Sequence, residues 1–394
     1  MDVCKNFYGE GRAFFDEKTA GHTAYEIAHQ PLMWRKLAEM LRAQSGAIKA
    51  FMDKIGDLKD VRIVLTGAGS SGFVGRAVAG FAAQCGCAYG EAIHTTDICA
   101  SPDMCFPALL ADKPTLLISF ARSGNSPESV GAVEVARKKV KHLYELAIVC
   151  DSTSKLAVAA RNATNGLVLV MPEGTNDNGF AMTSSVSCMI LAGYAALCKC
   201  NIDELADCYE KLADVVEKNG ASYVNAAKEC AAWGFERAWY LGCGALTGLV
   251  QEGALKMMEL SNGAVVAGCN NAPEFRHGPK TVMNPKTVTI HFMSPNAFTA
   301  QYDRDLLNEL YSQRDGNQLV AICDQLKPMQ ADLCVPYTLL DCACCADIAA
   351  GMQGLVFMQL LSLFTSLQLG ITTDNPSPGG LVNRVVQGVT VYPC

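Results

Sequence analysis

Residues 61–72 read Val61-Arg-Ile-Val-Leu-Thr-Gly-Ala-Gly-Ser-Ser-Gly72. A short run rich in β-branched residues ends in a glycine-rich turn, and an amphipathic stretch follows it. This is the pattern of a buried strand that passes into a covering helix. Four more strands of this kind are predicted in the same half of the chain, separated by longer amphipathic stretches: Ala88–Ile93, Thr115–Phe120, Glu145–Cys150 and Leu167–Met171. The alternation predicts an α/β fold with a parallel sheet covered by helices.

Landmarks of this first unit recur later in the chain, in the same order and at nearly one spacing. The recurrence pairs Gly67-Ala-Gly69 with Gly242-Cys-Gly244, Ile118-Ser-Phe120 with Ile290-His-Phe292, and Ala147-Ile-Val-Cys-Asp151 with Ala321-Ile-Cys-Asp324. Three matches at nearly constant spacing predict a duplication, with two tandem copies of one doubly wound parallel-sheet unit.

The pattern divides the chain into four expected parts: an N-terminal helical segment over residues 1–45, a first α/β unit over 46–217, a second over 218–372 and a C-terminal tail over 373–394. Pro31 is well placed to open a helix over Leu32–Arg42. Met182–Glu217 is predicted to be helical and to close the first unit. The tail, rich in proline and glycine at residues 375–380, is expected to wrap back toward the functional site.

Composition excludes several classes of protein. The 394 residues are 50% apolar and 18% charged, as in a globular protein, and the net charge of −7 argues against a general nucleic-acid binder. No uninterrupted apolar run of about 18 residues is evident, so we expect no membrane span. The first residues lack a signal-peptide pattern, so a cytoplasmic protein is expected.

The 19 cysteines lie mostly within apolar runs such as Leu146-Ala-Ile-Val-Cys150, as small buried hydrophobic residues do in a reducing compartment. Cys342-Ala-Cys-Cys345 contains a CxxC spacing. A zinc site would need a second pair of ligands, and no pair with suitable spacing follows. The sequence therefore predicts no metal site.

Hydroxyl groups cluster in two turns that directly follow predicted strands. One is Gly67-Ala-Gly-Ser-Ser-Gly72, and the other is Ala121-Arg-Ser-Gly-Asn-Ser-Pro127; a third such stretch, Met182-Thr-Ser-Ser185, opens a later helix. In open parallel sheets the carboxyl ends of the strands form the ligand crevice, and helix N-termini there present N–H groups to anions. A phosphate site is the favoured interpretation.

Two alternatives stay open at this point. Gly67, Gly69 and Gly72 also satisfy G-x-G-x-x-G, with Glu91 placed as a ribose-binding acid, which would indicate a dinucleotide. The paired serines and the second hydroxyl-rich turn favour a terminal phosphate instead. The serines could also serve only as helix caps.

The stretch from residue 238 to 280 carries the candidate catalytic groups. After a strand-like run and Gly242-Cys-Gly244, a helical run places Glu252, Lys256 and Glu259 on one face. Phe275-Arg-His-Gly-Pro279 follows. A carboxylate base with a nearby histidine is the minimum equipment for moving protons around a sugar carbonyl. The alternative is a solvated helix beside an Arg–His loop.

Together these motifs resemble the sugar isomerase (SIS) family. The arrangement is most similar to the double-SIS enzymes related to the isomerase half of glucosamine-6-phosphate synthase. It is closest to a branch described as tagatose-6-phosphate ketose/aldose isomerases or galactosamine-6-phosphate deaminases. The resemblance spans nearly the whole chain and rests on these stretches: Glu26-Ile-Ala-His-Gln-Pro31, Ser119-Phe-Ala-Arg-Ser-Gly-Asn-Ser-Pro127, Glu252-Gly-Ala-Leu-Lys-Met-Met-Glu259, Phe275-Arg-His-Gly-Pro-Lys280 and Asn383-Arg-Val-Val-Gln-Gly388.

The resemblance implies two flavodoxin-like SIS units and a set of site residues. The sugar phosphate would be held by side chains of the hydroxyl-rich turns: Ser70, Ser71, Arg122, Ser123, Ser126, Thr183 and Ser184. Glu259 would shuttle a proton between C1 and C2, with Glu252 and Lys256 orienting the site. His277 would assist ring opening, from a neighbouring subunit, and Gln387 would lie near the site in the tail. A homodimer or larger assembly without cofactor is implied.

Departures from the synthase pattern bear on the reaction. The chain has Ala121 where the synthase has serine, Arg122 where it has glutamine, and Gln387 where it has lysine. Residues 1–45 are too short for a glutaminase domain. Without an ammonia supply, the expected reaction is deamination of galactosamine 6-phosphate, or a similar hexosamine 6-phosphate, to a ketohexose 6-phosphate. Aldose–ketose isomerisation of hexose 6-phosphates is the close alternative. A non-catalytic sugar-phosphate sensor is another, although the N-terminal segment lacks the length and charge of a DNA-reading domain.

Overall fold

A computed structural model describes residues 2–327, 329–342, 345–386 and 388–393 of the chain. Contacts divide it into two compact units, each assembled from separate stretches of sequence. The β1–β5 unit contains the described residues of 33–176, 184–207 and 382–394, and the β6–β10 unit those of 1–32, 177–183 and 208–381. The four contiguous parts expected from the sequence stay a prediction.

The sheet of the β1–β5 unit is parallel throughout, with strand order β2-β1-β3-β4-β5. Its strands are β1 Arg62–Gly67, β2 Glu91–His94, β3 Thr115–Ala121, β4 Leu143–Val149 and β5 Gly166–Val170. All five strands were predicted. Only β2 starts clearly later than expected, at Glu91 rather than Ala88.

Helices cover both faces of this sheet: α5 Ser70–Gln84, α6 Thr95–Ala100, α7 Pro102–Cys105, α8 Pro127–Lys139, α9 Lys155–Arg161 and α10 Ser184–Leu197. One hydrophobic cluster lies between the sheet and helices α6, α8 and α9, with Val64, Leu117 and Val149 on its sheet side. β3 is buried along its entire length, as expected of a central parallel strand.

The sheet of the β6–β10 unit repeats this topology. Its strands are β6 Arg237–Gly242, β7 Val266–Asn270, β8 Thr287–Phe292, β9 Gln318–Asp324 and β10 Leu333–Tyr337, in the order β10-β9-β8-β6-β7. Taken from the other edge the order is β7-β6-β8-β9-β10, which matches β2-β1-β3-β4-β5 strand for strand. The predicted duplication of a doubly wound parallel-sheet unit is confirmed.

The remaining helices are α1 Val3–Tyr8, α2 Arg12–Asp16, α3 Gly21–Ala28, α4 Gln30–Ile55, α11 Ile202–Ala231, α12 Thr247–Leu260, α13 Ala272–Phe275, α14 Thr299–Ser312 and α15 Ala346–Gln368. Helix α4 has Pro31 as its second residue, near the predicted start, but runs well beyond Arg42. The prediction of continuous helix over Met182–Glu217 was wrong. The chain leaves the helix after Leu197, and the side chain of Asn201 caps the next one by accepting from Asp203 N at 2.7 Å.

Helix α15 is the most apolar long helix among the described residues. By length and composition it could cross a membrane, a property that was not predicted from the sequence. Its apolar stretch is entirely buried within the protein. It also carries buried polar groups with protein partners: the Gln353 amide donates to Thr338 O at 2.8 Å, and the Gln359 amide donates to Thr183 O at 3.2 Å. These are the properties of a core helix.

The tail contributes to each unit separately. In the β6–β10 unit, the Asp374 carboxylate accepts from the backbone N–H groups of His22 and Thr23 at 2.9 and 2.8 Å. In the β1–β5 unit, Arg384 O accepts from Arg122 at 2.7 Å. The tail therefore contacts the turn that follows β3, and its expected role near the functional site stays a prediction. Gln387 lies outside the described residues.

Candidate active site

The two serine turns meet at the point where the strand order of the β1–β5 sheet reverses. β1 and β3 are neighbours, with Thr66 paired to Ser119, and β2 lies on the other side of β1. Because the strands are parallel, the turns after β1 and β3 leave from the same sheet edge. This reversal point is where open α/β sheets bind their ligands.

The first turn brings backbone N–H groups to this edge. Ser70 and Ser71 form the first turn of α5, and both are nearly buried. A Cβ on Gly67 would lie 2.5 Å from the backbone of Ser71, and Gly69 has a φ of +53°. Glycine at both positions lets the chain turn sharply into the helix. Ser71 N and Gly72 N donate to Ala68 O and Gly69 O at 3.1 and 2.9 Å, and the positive end of the α5 dipole at this turn favours an anion.

The second turn presents hydroxyl groups beside them. Ser126 immediately precedes α8, and its Oγ is hydrogen-bonded to Ser129 Oγ at 2.7 Å. Ser123 is half-buried, and its Oγ accepts from Asn125 N at 3.4 Å. Arg122 is buried, and one of its nitrogens donates to the tail at Arg384 O. The turn is therefore held in place, and it presents hydroxyl groups and a cation at the same sheet edge as the first turn.

The third hydroxyl stretch divides between the units. Ser184 starts α10 in the β1–β5 unit and is fully buried. Thr183 belongs to the β6–β10 unit, where its backbone N–H and hydroxyl donate to the Asp177 carboxylate at 2.9 and 3.2 Å. A phosphate-binding role for either residue stays a prediction.

Glu91, the acid of the dinucleotide alternative, is engaged elsewhere. It is the first residue of β2, whereas His94 occupies the carboxyl end of that strand. Its carboxylate forms a two-pronged ion pair with Arg62, at 2.8 Å from Nε and 2.9 Å from a terminal nitrogen. A ribose-binding acid would be expected at the carboxyl end of the strand. The placement of Glu91 argues against a dinucleotide site.

The three predicted catalytic groups of α12 lie together. Lys256 Nζ is 3.3 Å from Glu252 Oε1 and is also ion-paired with Glu259. Lys256 and Glu252 are buried, whereas the side chain of Glu259 is 25% exposed. A Cβ on Gly253 would lie 2.6 Å from the Met358 sulfur of α15. Glycine there lets α12 approach α15 closely enough to bury this charged face.

The charges of this trio are mutually dependent. Burial by itself lowers the pKa of the Lys256 ammonium, but the Glu252 and Glu259 carboxylates outweigh it and hold that pKa above its ordinary value. Lys256 therefore stays charged. The side chain of Glu259 is paired with the Lys256 ammonium on its buried side and is open to solvent on the other. That is what a positioned proton acceptor requires.

His277 lies on a loop and not on the helix that carries the trio. It follows the short helix α13 and is exposed, next to Gly278 with a φ of +120°. Glu309 fixes its flanking residues, binding Arg276 Nε at 2.7 Å and also Lys280. Hydrogen bonds from Lys280 and then Arg276 lower the pKa of Glu309. Among the described residues, no side-chain hydrogen bond or ion pair joins His277 to Glu252, Lys256 or Glu259.

A buried acid that supports the 177–183 segment was not predicted as a site residue. Glu26 on α3 accepts from Gly179 N at 3.1 Å and from Asn178 N. Burial raises the pKa of the Glu26 carboxyl to about 8, with a further contribution from Asp177, while the two backbone donors oppose the rise. The stretch Glu26–Pro31 forms part of the family resemblance seen in the sequence. Nothing in the sequence indicates that Glu26 binds the backbone of residues 178–179.

Comparison with known proteins identifies the family of this chain. A protein of Shewanella sp. (strain ANA-3) named D-galactosamine-6-phosphate deaminase AgaS is 36% identical over 374 residues, covering 94% of this chain and 92% of the relative. One of the same name from Escherichia coli O157:H7 is 36% identical over 379 residues, covering 95% and 96%. The chain belongs to the AgaS family. No protein-family model matches it.

A solved structure shows the same fold. The crystal structure of tagatose-6-phosphate ketose/aldose isomerase from Escherichia coli has a TM-score of 0.83 and 32% identity, covering 94% of this chain and 96% of that one. Both sheets fall within the match. The double-SIS resemblance and the α/β fold expected from the sequence are confirmed, while the individual site residues stay predictions.

Proposed function

We propose that this protein is a hexosamine-6-phosphate deaminase that converts galactosamine 6-phosphate to tagatose 6-phosphate and ammonia. The observation that carries the proposal is the Glu252–Lys256–Glu259 array on α12, in which the partly exposed carboxyl group of Glu259 is ion-paired with the buried Lys256 ammonium. Membership of the AgaS family supports the substrate class, since curated members bear that activity in their names.

Substrate binding would use the serine turns. The phosphate dianion would lie at the N-terminus of α5, where the helix dipole favours negative charge, and would accept hydrogen bonds from the hydroxyl groups of Ser71, Ser123 and Ser126, with Arg122 supplying positive charge. Charge-assisted hydrogen bonds of this kind are about twice as strong as neutral ones. Holding the phosphate fixes the other end of the sugar for chemistry.

The chemical step would be a proton transfer between adjacent carbons. His277 would assist opening of the sugar ring, exposing the C1 aldehyde. Glu259 would remove the C2 proton, and the electron pair left on C2 would form an enolamine as the C1 oxygen gains a proton. Protonation of C1 then gives an imine at C2, which water hydrolyses to the ketone with release of ammonia. Lys256 and Glu252 would hold Glu259 in place.

Isomerisation without deamination is the second candidate. The solved Escherichia coli relative is described as a tagatose-6-phosphate ketose/aldose isomerase, and the C1–C2 proton transfer is common to both reactions. In the isomerase, C2 carries a hydroxyl in place of the amine, and no ammonia is released.

The proposal includes a shared site in a homodimer or larger assembly in the cytoplasm, with sugar phosphate as its only partner besides itself. The exposed position of His277, on a loop clamped by Glu309, supports donation of this residue to a neighbouring subunit. No cofactor, nucleic acid or membrane is proposed to take part in the reaction, and the net charge of −7 agrees with the absence of nucleic acid.

A substrate panel tests the function. The purified protein is incubated with galactosamine 6-phosphate, glucosamine 6-phosphate and galactose 6-phosphate, and ammonia and ketose 6-phosphate are measured separately. We expect ammonia and ketose in equal amounts from galactosamine 6-phosphate. Ketose from galactose 6-phosphate with no ammonia from either amino sugar would establish the isomerase instead. No product from any substrate would contradict both candidates.

A further inference from the structure

Three cysteines from distant parts of the sequence converge in the β6–β10 unit. Their Sγ atoms, in Cys208, Cys342 and Cys345, all lie within 4.8 Å of one another. Cys208 belongs to α11, and Cys345 immediately precedes α15. Cys208 and Cys345 are buried, whereas Cys342 is partly exposed. All three are thiols, and no disulfide joins the cysteines that the structure describes.

The local backbone fixes two of these thiols as a pair. Cys345 N and Ala346 N donate to Cys342 O at 2.9 and 3.0 Å, which closes a turn and places both side chains at the start of α15. Cys344, between them in sequence, lies outside the described residues.

We propose that Cys208, Cys342 and Cys345 bind a thiophilic cation, Zn²⁺, at a site separate from the Glu252–Lys256–Glu259 array. Zinc–thiolate bonds of about 2.3 Å in a tetrahedral arrangement place sulfur atoms roughly 3.8 Å apart. The observed separations need only small side-chain rotations to reach that spacing. Three thiolates from one turn and one neighbouring helix form a donor set that suits zinc, whose coordination sphere needs one further ligand.

The sequence predicts no metal here because no second ligand pair follows the CxxC. The third ligand precedes it instead, on α11, and only the fold brings it into place. The ion would tie α11 to the start of α15, and α15 is the helix against which α12 packs through Gly253. We therefore expect the metal to stabilise the unit rather than to take part in the reaction.

Metal binding is tested with the full-length protein, purified under reducing conditions without a polyhistidine tag. Zn²⁺ content is measured by elemental analysis, Zn²⁺ affinity by competition with a chromophoric chelator, and Co²⁺ binding by its thiolate charge-transfer absorbance. We expect about one Zn²⁺ per chain. Cys208→Ser and Cys342→Ser should each weaken Zn²⁺ binding by more than the roughly 10- to 100-fold that loss of an outer-sphere partner costs.

Matched controls separate this site from other thiols. Cys230→Ser removes another buried thiol of α11, and Cys87→Ser removes one of a pair whose sulfur atoms are 4.0 Å apart. Both should keep Zn²⁺ binding and the Co²⁺ spectrum. Because Cys342 is partly exposed, Cys342→Ser should fold even if Cys208→Ser does not. The proposal is overturned if the reduced protein binds no Zn²⁺ at micromolar concentration, or if binding survives Cys342→Ser.

Discussion

Lys256 Nζ lies 3.3 Å from Glu252 Oε1, and both side chains are buried within the β6–β10 unit. A buried ammonium is tolerated because two carboxylates face it, one on each side along α12. Buried pairs of this kind contribute little net stability, but loss of one partner is costly because the other charge stays buried. The arrangement is therefore better explained by chemistry than by packing.

Removal of the cation should destabilise the protein. Lys256→Met leaves the buried Glu252 facing Glu259 without a cation between them, at an expected cost of about 3–5 kcal/mol in free energy of unfolding. Adding Glu252→Gln should recover part of that loss, since it removes the unpaired buried charge. Urea denaturation measures both. Lys49→Met, which breaks an exposed pair with Asp53 at the same helical spacing, should change stability by less than about 1 kcal/mol. Equal effects of the two lysine variants would contradict the buried-pair account.

The serine turns should act on substrate affinity rather than on stability. Ser123→Ala removes a half-buried hydroxyl from the turn after β3, and loss of a hydrogen bond to a charged group costs about 1.5–3 kcal/mol. We expect KM for the phosphorylated sugar to rise roughly 10- to 150-fold while Tm stays nearly unchanged. Steady-state kinetics and a thermal melt provide the test, with exposed Ser152→Ala as control. An unchanged KM would place the phosphate elsewhere.

Stability should depend on pH through Glu26. The pKa of Glu26 in the folded protein is raised to about 8, so between about pH 4.5 and 8 the folded state holds a proton that the unfolded state has released. The stability contributed by this group is present at low pH and is lost as pH rises, by up to about 1.4 kcal/mol per pH unit.

Glu26→Gln cannot ionise and should lack this loss. Urea denaturation at several values between about pH 5 and pH 8 should show the free energy of unfolding of the wild type falling relative to that of the variant. Glu10→Gln, at an exposed position, should keep the wild-type slope. Parallel slopes for wild type and Glu26→Gln would show that Glu26 ionises normally.

Much of the fold was predictable because both sheets are built from parallel strands with buried, β-branched sequences. Runs such as Arg62–Gly67 and Thr115–Ala121 are buried almost throughout. A strand that is buried on both faces is a short apolar run, which can be recognised from its own residues. The division between α10 and α11 escaped prediction because the intervening residues are not strong helix breakers. The break coincides with Asn201, which caps α11 through a local hydrogen bond from Asp203 N, and the acidic residues Asp203 and Glu204 in the first turn complete a helix-start pattern that the prediction passed over.

The proximity of charged side chains in the candidate site was predictable where all of them lie on one helix. Glu252, Lys256 and Glu259 share a helical face, so their proximity follows from spacing alone. The support of residues 178–179 by Glu26 and the approach of Cys208 to the CxxC turn depend on the fold, which spacing does not encode. His277 is a further case, since its proposed partner lies in another subunit.

Complementation tests that shared site. Glu259→Gln and His277→Ala should each be impaired on their own. In a dimer with random pairing, half of the molecules are hybrids, and each hybrid has one site with both residues intact. Co-expression of the two variants should therefore restore about a quarter of wild-type activity. A mixture that stays as inactive as its components would contradict borrowing of His277 from a neighbour.

The most direct test of the central claim is the exchange of the C2 hydrogen of galactosamine 6-phosphate with deuterated solvent, followed by NMR together with ammonia release. Glu259→Gln preserves shape but cannot accept a proton, so kcat and C2 exchange should both fall by about 100-fold or more while KM stays nearly unchanged. Exposed Glu229→Gln should behave as wild type. Wild-type rates of exchange and ammonia release in Glu259→Gln would contradict the assignment of Glu259 as the proton shuttle.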